Sequence, residues 1–356
     1  MAQPVVLFGG PSPEHDVSIL TGLQAVRVID DARAVYWSKT GDFWEVGADL
    51  EKDAFYDGVP RRSTSLRLVA GEGLVGRRRP LDVSAVVNCC HGGPGEDGTI
   101  QAAFDLAGIR YTGPNVAGAA LGMDKLAFGA VVVGAGLPSL PRVALTAEVP
   151  PPFPGPYVVK PRFGGSSIGI EVVEDGPTAQ ALLTASPHLR SGAVVEPYRP
   201  GAYDLNVAVR AWPRLELSAV ERPLRRAGEG PILAYADKYV GDQGMTTAPK
   251  ELPASLPAAV EARLREMATV VAGLSGLRGV ARVDFLAEGD ELYVNEVNTI
   301  PGSLARHLWV QPEVPFRRLL DDMLDEAARR PAFHWTTAGA DGTALRSAGS
   351  IAGKLA

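Results

Sequence analysis

Short apolar runs alternate with helical patterns in the first third of the chain. Residues 5–8 and 83–88 are apolar runs that predict strands. Helices are predicted from Glu14 onward and over residues 100–107, where apolar positions recur at helical spacing. Because strands and helices alternate, we expect a parallel α/β domain in about the first 120 residues. Residues 61–80, which are rich in arginine and glycine, are expected to form an exposed excursion from it.

The pattern changes in the middle of the chain. After a predicted helix over residues 125–135, residues 157–160 and 169–173 predict strands on either side of a glycine–serine loop. Longer strands are predicted at 205–211 and 215–221. The tail lacks strong periodicity and is expected to be a short docked helix or disordered. We therefore divide the chain into an N-terminal α/β substrate domain (1–121), a central unit with the glycine–serine loop (122–199), a C-terminal unit (200–330) and a tail (331–356).

Two alternating runs near residue 290 predict a β-hairpin with an acidic, glycine-containing turn. Pairing Ala287 with Glu291 would place Arg282 opposite Glu296. Side chains two residues apart on a strand share a face, so four polar groups are expected on one surface: Arg282, Asp284, Glu296 and Asn298. Two carboxylates and an amide oxygen are ligands that Mg²⁺ accepts beside nucleotide phosphates. A solvated hairpin face with a surface salt bridge is the alternative interpretation.

Lys160 enters the glycine–serine loop at residues 161–169. Backbone N–H groups in such a loop can surround phosphate oxygens, and the lysine can direct its charge toward them. This is not a Walker A motif, because the lysine precedes the loop and no helix follows. A flexible hairpin loop without a ligand is the alternative.

Two further glycine-rich loops, at residues 9–15 and 92–98, follow predicted strands. Open α/β sheets bind ligands at the carboxyl ends of their strands. Glu14 in the first loop either binds a substrate ammonium group or favours the helix N-terminus. In the second, His91 is either a general base or a packed polar residue, and Asp97 or Thr99 is either near a ligand or a helix cap.

Charge and composition exclude some classes of function. The net charge of −6 argues against a general nucleic-acid-binding protein. No apolar run approaches the ~18 residues of a membrane span, and the N-terminus resembles a first strand rather than a signal peptide. The only cysteines, Cys89 and Cys90, are neighbours, which rarely form a disulfide. We expect reduced core residues of a cytosolic protein, with a catalytic thiol as the alternative.

Seven motifs occur in an order that resembles the D-alanine–D-alanine ligases of the ATP-grasp superfamily. They are GGPSPEHDVS (9–18), HGGPGEDGTIQ (91–101), GMDK (122–125), VKP with GSSIG (159–169), DKY (237–239), RVD (282–284) and NEVNTIPG (295–302). The resemblance covers roughly residues 4 to 325. It implies a three-domain ATP-grasp fold with an N-terminal parallel α/β domain. It also implies an ADP-forming ligase that joins two amino acids through an acyl phosphate, chiefly D-alanine for peptidoglycan, as a cytoplasmic homodimer.

Roles implied by the resemblance carry over only at matching positions. Lys125 and Lys160 resemble the lysines that hold ATP phosphates, together with Ser166 and Ser167 of the loop. Glu196 resembles the residue that reads the adenine amino group. Asp204 is similar to the acid that binds the ribose, although its spacing after Gly201 is one residue longer. The implied ligands of Mg²⁺, expected as two ions with Mn²⁺ as an alternative, are Asp284, Glu296 and Asn298.

The same resemblance assigns residues to the amino-acid substrates. Glu14 is similar to the residue that binds the first ammonium group, with Ser166 and Tyr239 as partners. Arg282 resembles the arginine that stabilises the oxyanion, which has a typical effect of roughly 3–4 kcal/mol. Residues 236–247, which include Lys238 and Tyr239, resemble a lid that excludes water. Further substrate-binding positions are expected at His91, Gly302, His307 and Leu308.

Two positions depart from the family pattern. His307 stands where a serine is expected. Arg306 and His307 could still bind a carboxylate, but they are larger and basic, which reduces the space for the second substrate and could favour a different acid. The alternative is a neutral change in which backbone amides still bind the carboxylate. That departure leaves open a ligase with a different second amino acid, used for a small peptide metabolite, as the alternative to the cell-wall dipeptide. Gly129 stands at a usual lysine position, for which the sequence gives no physical account. A non-catalytic ATP-binding protein is the least favoured interpretation.

Overall fold

The computed structural model describes residues 2–224, 249–331 and 335–355. Its strands are β1 (Gln3–Gly9), β2 (Arg33–Trp37), β3 (Phe43–Val46), β4 (Thr64–Val69), β5 (Gly73–Val75), β6 (Val83–Asn88), β7 (Val143–Ala144), β8 (Tyr157–Pro161), β9 (Glu171–Val173), β10 (Ala193–Pro197), β11 (Tyr203–Arg210), β12 (Glu216–Pro223), β13 (Lys250–Glu251), β14 (Val280–Glu288) and β15 (Glu291–Asn298). Its α-helices are α1 (His15–Val28), α2 (Gly93–Glu96), α3 (Thr99–Ala107), α4 (Val116–Met123), α5 (Lys125–Gly134), α6 (Gly176–Ala185), α7 (Ala258–Leu274), α8 (Phe316–Arg329), α9 (Thr343–Ser347) and α10 (Ile351–Leu355).

The first sheet has the order β5-β4-β3-β2-β1-β6. Only β1 with β2 and β1 with β6 are parallel, and β3 to β5 pair antiparallel. The expectation of an exposed excursion at residues 61–80 is therefore wrong, because β4 and β5 extend the sheet. Leu66 and Leu74 are buried there, 4% and 1% exposed. The arginines and glycines around them obscured these apolar positions.

Strand β1 is apolar from Val5 to Phe8 because both of its faces are covered there. Val5 and Leu7 pack in one hydrophobic cluster, which also contains Phe104 of α3. Val6 and Phe8 pack in another, on the side of α1. The second cluster extends to the C-terminal part of the chain and includes Leu304, Leu308, Trp309, Leu319, Leu320 and Met323. The first sheet and α8 therefore share one core.

Two antiparallel sheets form the rest of the fold. One has the order β7-β10-β8-β9, and the other has the order β13-β12-β11-β14-β15. Helices α5 and α7 bury apolar side chains in the core of the latter sheet, with Phe128 from α5 and Leu264 from α7. The three sheets fall within the three predicted ranges, whose boundaries remain predictions.

The register of the β14–β15 hairpin differs from the expected one. Glu288 pairs with Glu291, so the turn is one residue tighter, and the register then shifts beyond Phe285. As a result Arg282 lies opposite Asn298 rather than Glu296, and Asp284 lies opposite Glu296. The tighter turn and the register shift each move the partner of a β14 residue by one position toward the end of β15. Together they place the partner of Arg282 two residues further along than expected. A shift by two preserves the face on which each side chain lies, so the predicted convergence survives.

Two other regions bear on the sequence predictions. Cys89 and Cys90 are both buried and free, and burial raises the pKa of Cys89 to about 12. This favours packed core residues over a catalytic thiol. In the tail, α9 and α10 are short, and α9 contributes no buried residue. None of the helices in the described ranges has the length and apolarity that crossing a membrane requires.

Candidate active site

One pocket receives residues from the two antiparallel sheets and from the segments that follow β1 and β6 of the first sheet. It is lined by every residue in the described ranges to which the family resemblance assigned a role, except Leu308. Lys238 and Tyr239, together with the expected lid at 236–247, lie outside the described residues. The pocket has two ends. One is built around Lys125, Lys160 and Glu196, and the other around Glu14, Arg282 and His307.

The carboxylate of Glu196 lies between two cations. Lys160 Nζ donates to one oxygen at 2.7 Å and to Asn295 Oδ1 at 3.3 Å. Arg142 Nε donates to the other oxygen of Glu196. Burial alone would raise the pKa of Glu196, which is 1% exposed, but the two cations outweigh burial and lower it. Glu196 is therefore a charged anchor for Lys160 at this end of the pocket.

Lys125 joins the glycine–serine loop to the hairpin. Its ammonium group donates to the carbonyl of Gly164 and lies 3.6 Å from Glu296 Oε2. The first turn of α5 is also tied to the loop, since Lys125 N–H donates to the carbonyl of Arg162. Burial lowers the pKa of Lys125, and Glu296 partly offsets this effect. Both predicted phosphate-binding lysines therefore line one end of the pocket.

Strand alternation in β11 decides on which side of the sheet Asp204, the predicted ribose-binding acid, lies. Asp204 and Asn206 both line the pocket. Tyr203 lies against the Arg222 guanidinium instead, with 4.1 Å between the guanidinium carbon and the ring centre. Alternation places Asp204 on the pocket side, in agreement with its assignment despite the longer spacing.

The hairpin places its polar side chains in the same pocket. Arg282 donates two hydrogen bonds to Asp284, at 2.6 and 2.7 Å, and Asn298 Nδ2 donates to Asp284 at 2.9 Å. Within the described ranges, no three His, Cys, Asp or Glu side chains are grouped so that they could hold a metal ion. The predicted set differs from such a group because it has two carboxylates, Asp284 and Glu296, and an amide. Its oxygens fit Mg²⁺ when phosphate oxygens or water complete the coordination.

At the other end, Glu14 reaches across to the glycine–serine loop. Ser166 Oγ donates to Glu14 Oε1. Glu14 precedes α1 but makes no side-chain hydrogen bond that caps it. Gly92 leaves room for this carboxylate, since a Cβ there would lie 2.3 Å from Glu14 Oε2, and its φ is +62°. Of the two interpretations of Glu14, the geometry favours the substrate-facing one.

A carboxylate that the sequence analysis missed lies beside Glu14. Glu96 accepts hydrogen bonds from Gly92 N–H at 3.0 Å and from Ile300 N–H at 2.8 Å. Burial, and then the nearby Glu14 carboxylate, raise the pKa of Glu96 to about 7. Asp97, its neighbour in the motif, instead accepts from Thr99 N–H at the start of α3. Glu96 thus connects the loop after β6 to the segment after β15.

His91 uses both ring nitrogens within the protein. Nδ1 lies 2.7 Å from the carbonyl of Ile300, and Nε2 lies 2.7 Å from Thr21 Oγ1. Thr21 Oγ1 also accepts from Ser303 N–H at 3.0 Å. Burial lowers the pKa of His91 to about 4. These contacts favour the packed polar residue over the general base.

The segment after β15 makes a left-handed turn that separates its predicted residues. Ser303, Leu304 and Ala305 have φ values of +48° to +49°. Gly302 and His307 line the pocket. Leu308 does not, because the turn directs it into the core, where it is 0% exposed.

Arg306 also lies away from the pocket wall. It is exposed, and its guanidinium carbon lies 5.6 Å from the ring centre of Phe316. The expected pair of basic residues is therefore reduced to His307.

His307 has an acidic partner. Its Nε2 lies 3.4 Å from Glu221 Oε1, and Asn206 donates to the other oxygen of Glu221 at 3.2 Å. Burial alone would raise the pKa of Glu221, but His307, Asn206 and Arg282 bring it down to about 2. Lys250 Nζ lies 3.8 Å from the same Glu221 oxygen as His307. The expected basic region therefore also contains a carboxylate that has no motif around it in the sequence.

The comparisons with known proteins agree with these motifs. The model described as "D-ala D-ala ligase N-terminus" matches residues 3–114, and "D-ala D-ala ligase C-terminus" matches residues 140–325. A D-alanine–D-alanine ligase of Bradyrhizobium sp. (strain ORS 278) is 32% identical over 352 residues, which cover 92% of this chain and 95% of the relative. The chain belongs to the D-alanine–D-alanine ligase family. This family consists of ATP-dependent, ADP-forming ligases with the ATP-grasp fold.

Other relatives support the same family and fold. A D-alanine–D-alanine ligase of Acidiphilium cryptum (strain JF-5) is 34% identical over 307 residues, covering 85% of this chain and 89% of the relative. The structure resembles that of D-alanyl-alanine synthetase A from Vibrio cholerae, with a TM-score of 0.76, 21% identity, and coverage of 92% and 98%. It also resembles the VanG D-Ala:D-Ser ligase from Enterococcus faecalis, with a TM-score of 0.75, 24% identity, and coverage of 92% and 100%. The structural similarities concern the fold.

Proposed function

We propose that this protein joins two D-alanine molecules, with formation of ADP, for peptidoglycan synthesis. The observation that carries the proposal is the single pocket that Lys125, Lys160, Asp284 and Glu296 share with Glu14. It combines groups suited to a nucleotide and a divalent cation with a carboxylate suited to an ammonium group. Membership of the ligase family supports the same activity.

The nucleotide end is proposed to hold ATP through Lys125, Lys160 and the loop residues Ser166 and Ser167. Glu196 and Asp204 are proposed to contact its base and ribose. ATP supplies the phosphoryl group that activates a carboxylate, and Mg²⁺ screens the phosphate charge. The proposed metal ligands, for two ions or for Mn²⁺ in their place, are Asp284, Glu296 and Asn298.

The other end is proposed to bind the two amino acids. Glu14 would hold the first ammonium group, oriented by Ser166 and, from outside the described residues, by Tyr239. Arg282 would stabilise the oxyanion that forms as the amine attacks. His91 is proposed to position the surrounding loop. Lys238 is proposed to belong to the lid.

The second amino acid is proposed to lie near Gly302 and His307. Glu221 lies beside both His307 and Lys250, so this region contains acidic and basic groups together. Such a combination suits the oppositely charged ends of a zwitterionic second substrate. A ligase with a second amino acid other than D-alanine remains the alternative, and the observation that favours it is the His307–Glu221 pair itself.

An amino-acid screen tests the proposal. Purified protein is incubated with ATP and Mg²⁺, and ADP and the dipeptide are quantified with D-alanine alone and with mixed pairs. We expect D-alanine alone to give ADP and D-Ala-D-Ala. ADP formation only with a mixed pair would support the alternative ligase. Nucleotide binding without ADP formation, for every pair of amino acids tested, would support a non-catalytic ATP-binding protein. The proposed homodimer in the cytoplasm is tested by sedimentation and by fractionation.

A further inference from the structure

Arg142 lies behind the nucleotide end of the pocket, and no motif draws attention to it. Its side chain is 4% exposed. Its three guanidinium nitrogens donate to three separate segments: Nε to the Glu196 carboxylate, Nη1 to the carbonyl of Lys125 at 2.7 Å, and Nη2 to the carbonyl of Asn295 at 2.9 Å. These segments are β10, the first turn of α5, and β15. Only the planar guanidinium can supply such a set of directed donors.

The structure also makes space for Arg142. Gly129 lies within α5, and a Cβ added there would lie 3.3 Å from Arg142 Nη1 and 3.4 Å from its Cδ. Glycine inside a helix is destabilising relative to alanine. At this position the absence of a side chain lets Arg142 lie directly against the helix. Gly129 and Arg142 therefore form a matched pair, in which the small residue accommodates the large one.

Charge gives Arg142 a second effect. Glu196 carries one negative charge, and Lys160 and Arg142 each carry one positive charge in contact with it. The three groups together have a net charge of +1. Without Arg142, Glu196 would neutralise Lys160 completely, and that end of the pocket would attract phosphate less strongly.

We propose that Arg142 is a positioning residue for nucleotide binding. It fixes Glu196 and the first turn of α5, and it offsets the Glu196 charge so that Lys160 remains effective toward phosphate. Arg142 does not line the pocket, so its effect passes through Glu196, Lys125 and Lys160. Loss of Arg142 therefore weakens ATP binding more than the binding of the amino acids, whose proposed site is at the other end of the pocket.

The test measures nucleotide affinity without amino acids, so its outcome does not depend on which amino acids are joined. Isothermal titration with ADP and Mg²⁺ is performed on wild type, Arg142→Met and Arg142→Lys. A matched control is Arg265→Met, because Arg265 also bonds a carboxylate and a backbone carbonyl, those of Glu261 and Ser218. Thermal unfolding verifies that each variant is folded.

We expect Arg142→Met to weaken ADP binding by roughly 10- to 100-fold, because hydrogen bonds to a charged group are lost. The KM for ATP should rise in parallel, with the KM for amino acids within about threefold of wild type. Arg142→Lys, which keeps the positive charge but not the planar guanidinium, should have an intermediate ADP affinity. Arg265→Met should bind ADP normally. Wild-type ADP affinity in Arg142→Met, or in Arg142→Lys if only that variant folds, would overturn the proposal.

A double variant separates the charge from the geometry. Gly129→Lys combined with Arg142→Met places an amine in the vacated space beside Glu196. Recovery of ADP affinity relative to Arg142→Met supports the charge effect. No recovery in a folded double variant overturns that half of the proposal.

Discussion

Substitution of Gly92 by alanine tests whether Glu14 binds the first amino acid. The added Cβ would lie 2.3 Å from Glu14 Oε2. A comfortable contact is about 3.5 Å, so the carboxylate must move by roughly 1 Å. That displacement moves the carboxylate from its position beside Ser166, which donates to the other oxygen, Oε1. Bonds to charged groups contribute about 1.5–3 kcal/mol, so we expect the KM for the first amino acid to rise roughly 10- to 100-fold.

The same substitution also strains the backbone, and a control isolates that effect. Gly92 has φ +62° and ψ 174°, a conformation that is nearly restricted to glycine and costs an L residue on the order of 1–3 kcal/mol. Gly276 also has a positive φ, +55°, and nothing lies within 4 Å of the position where its Cβ would be. Gly276→Ala should therefore lose stability but keep wild-type kinetics. The assay is steady-state ADP formation, with urea unfolding in parallel. If Gly92→Ala is folded but leaves the amino-acid KM unchanged, the proposed role of Glu14 is wrong.

Four further predictions concern other parts of the site. Glu296→Gln should abolish ADP formation at all Mg²⁺ concentrations, because one of two metal carboxylates is lost; near-normal turnover would contradict the ligand set. His307→Ser should change the preferred second amino acid more than the KM for ATP, and the reverse pattern would refute that assignment. Cys89 and Cys90 should not react with a thiol reagent at pH 8 until the protein is unfolded, since burial raises the pKa of both thiols; rapid reaction of the native protein would show that they are accessible. Thr21→Val should raise the amino-acid KM and cost about 1–3 kcal/mol of stability, and unchanged kinetics would mean that its hydrogen bonds do not position the pocket.

The residues proposed for the nucleotide and the metal could be predicted to lie together because local patterns encode their positions. Strand alternation alone places Asp284 beside Arg282, and Glu296 beside Asn298, whatever the exact register. That is why the hairpin prediction survived an error in the pairing. The first sheet was harder to predict, because Leu66 and Leu74 lie among arginines and glycines, and their burial depends on pairing with β3.

The residues that escaped prediction act through distant partners. Glu221 gains its significance from His307, which lies on another segment, and Arg142 gains its significance from Glu196 and the space above Gly129. No residue spacing or motif in the sequence indicates such pairs. Glu96 differs, because it belongs to a glycine-rich motif that was recognised. Its pocket-facing role became visible only when its hydrogen bonds to Gly92 and Ile300 were known.

The core shared by the first sheet and the C-terminal segments limits how this protein can be recombined. Val6 and Phe8 pack in the same cluster as Leu308 and Leu319. A chimera that exchanged only residues 3–114 between two family members would pair foreign apolar surfaces, and it would keep the hydrogen bond from Ser303 N–H to residue 21 only if the donor has a hydroxyl there. The proposed amino-acid end of the pocket is therefore built by both ends of the chain, and an exchange of one end alone is expected to destabilise the shared core.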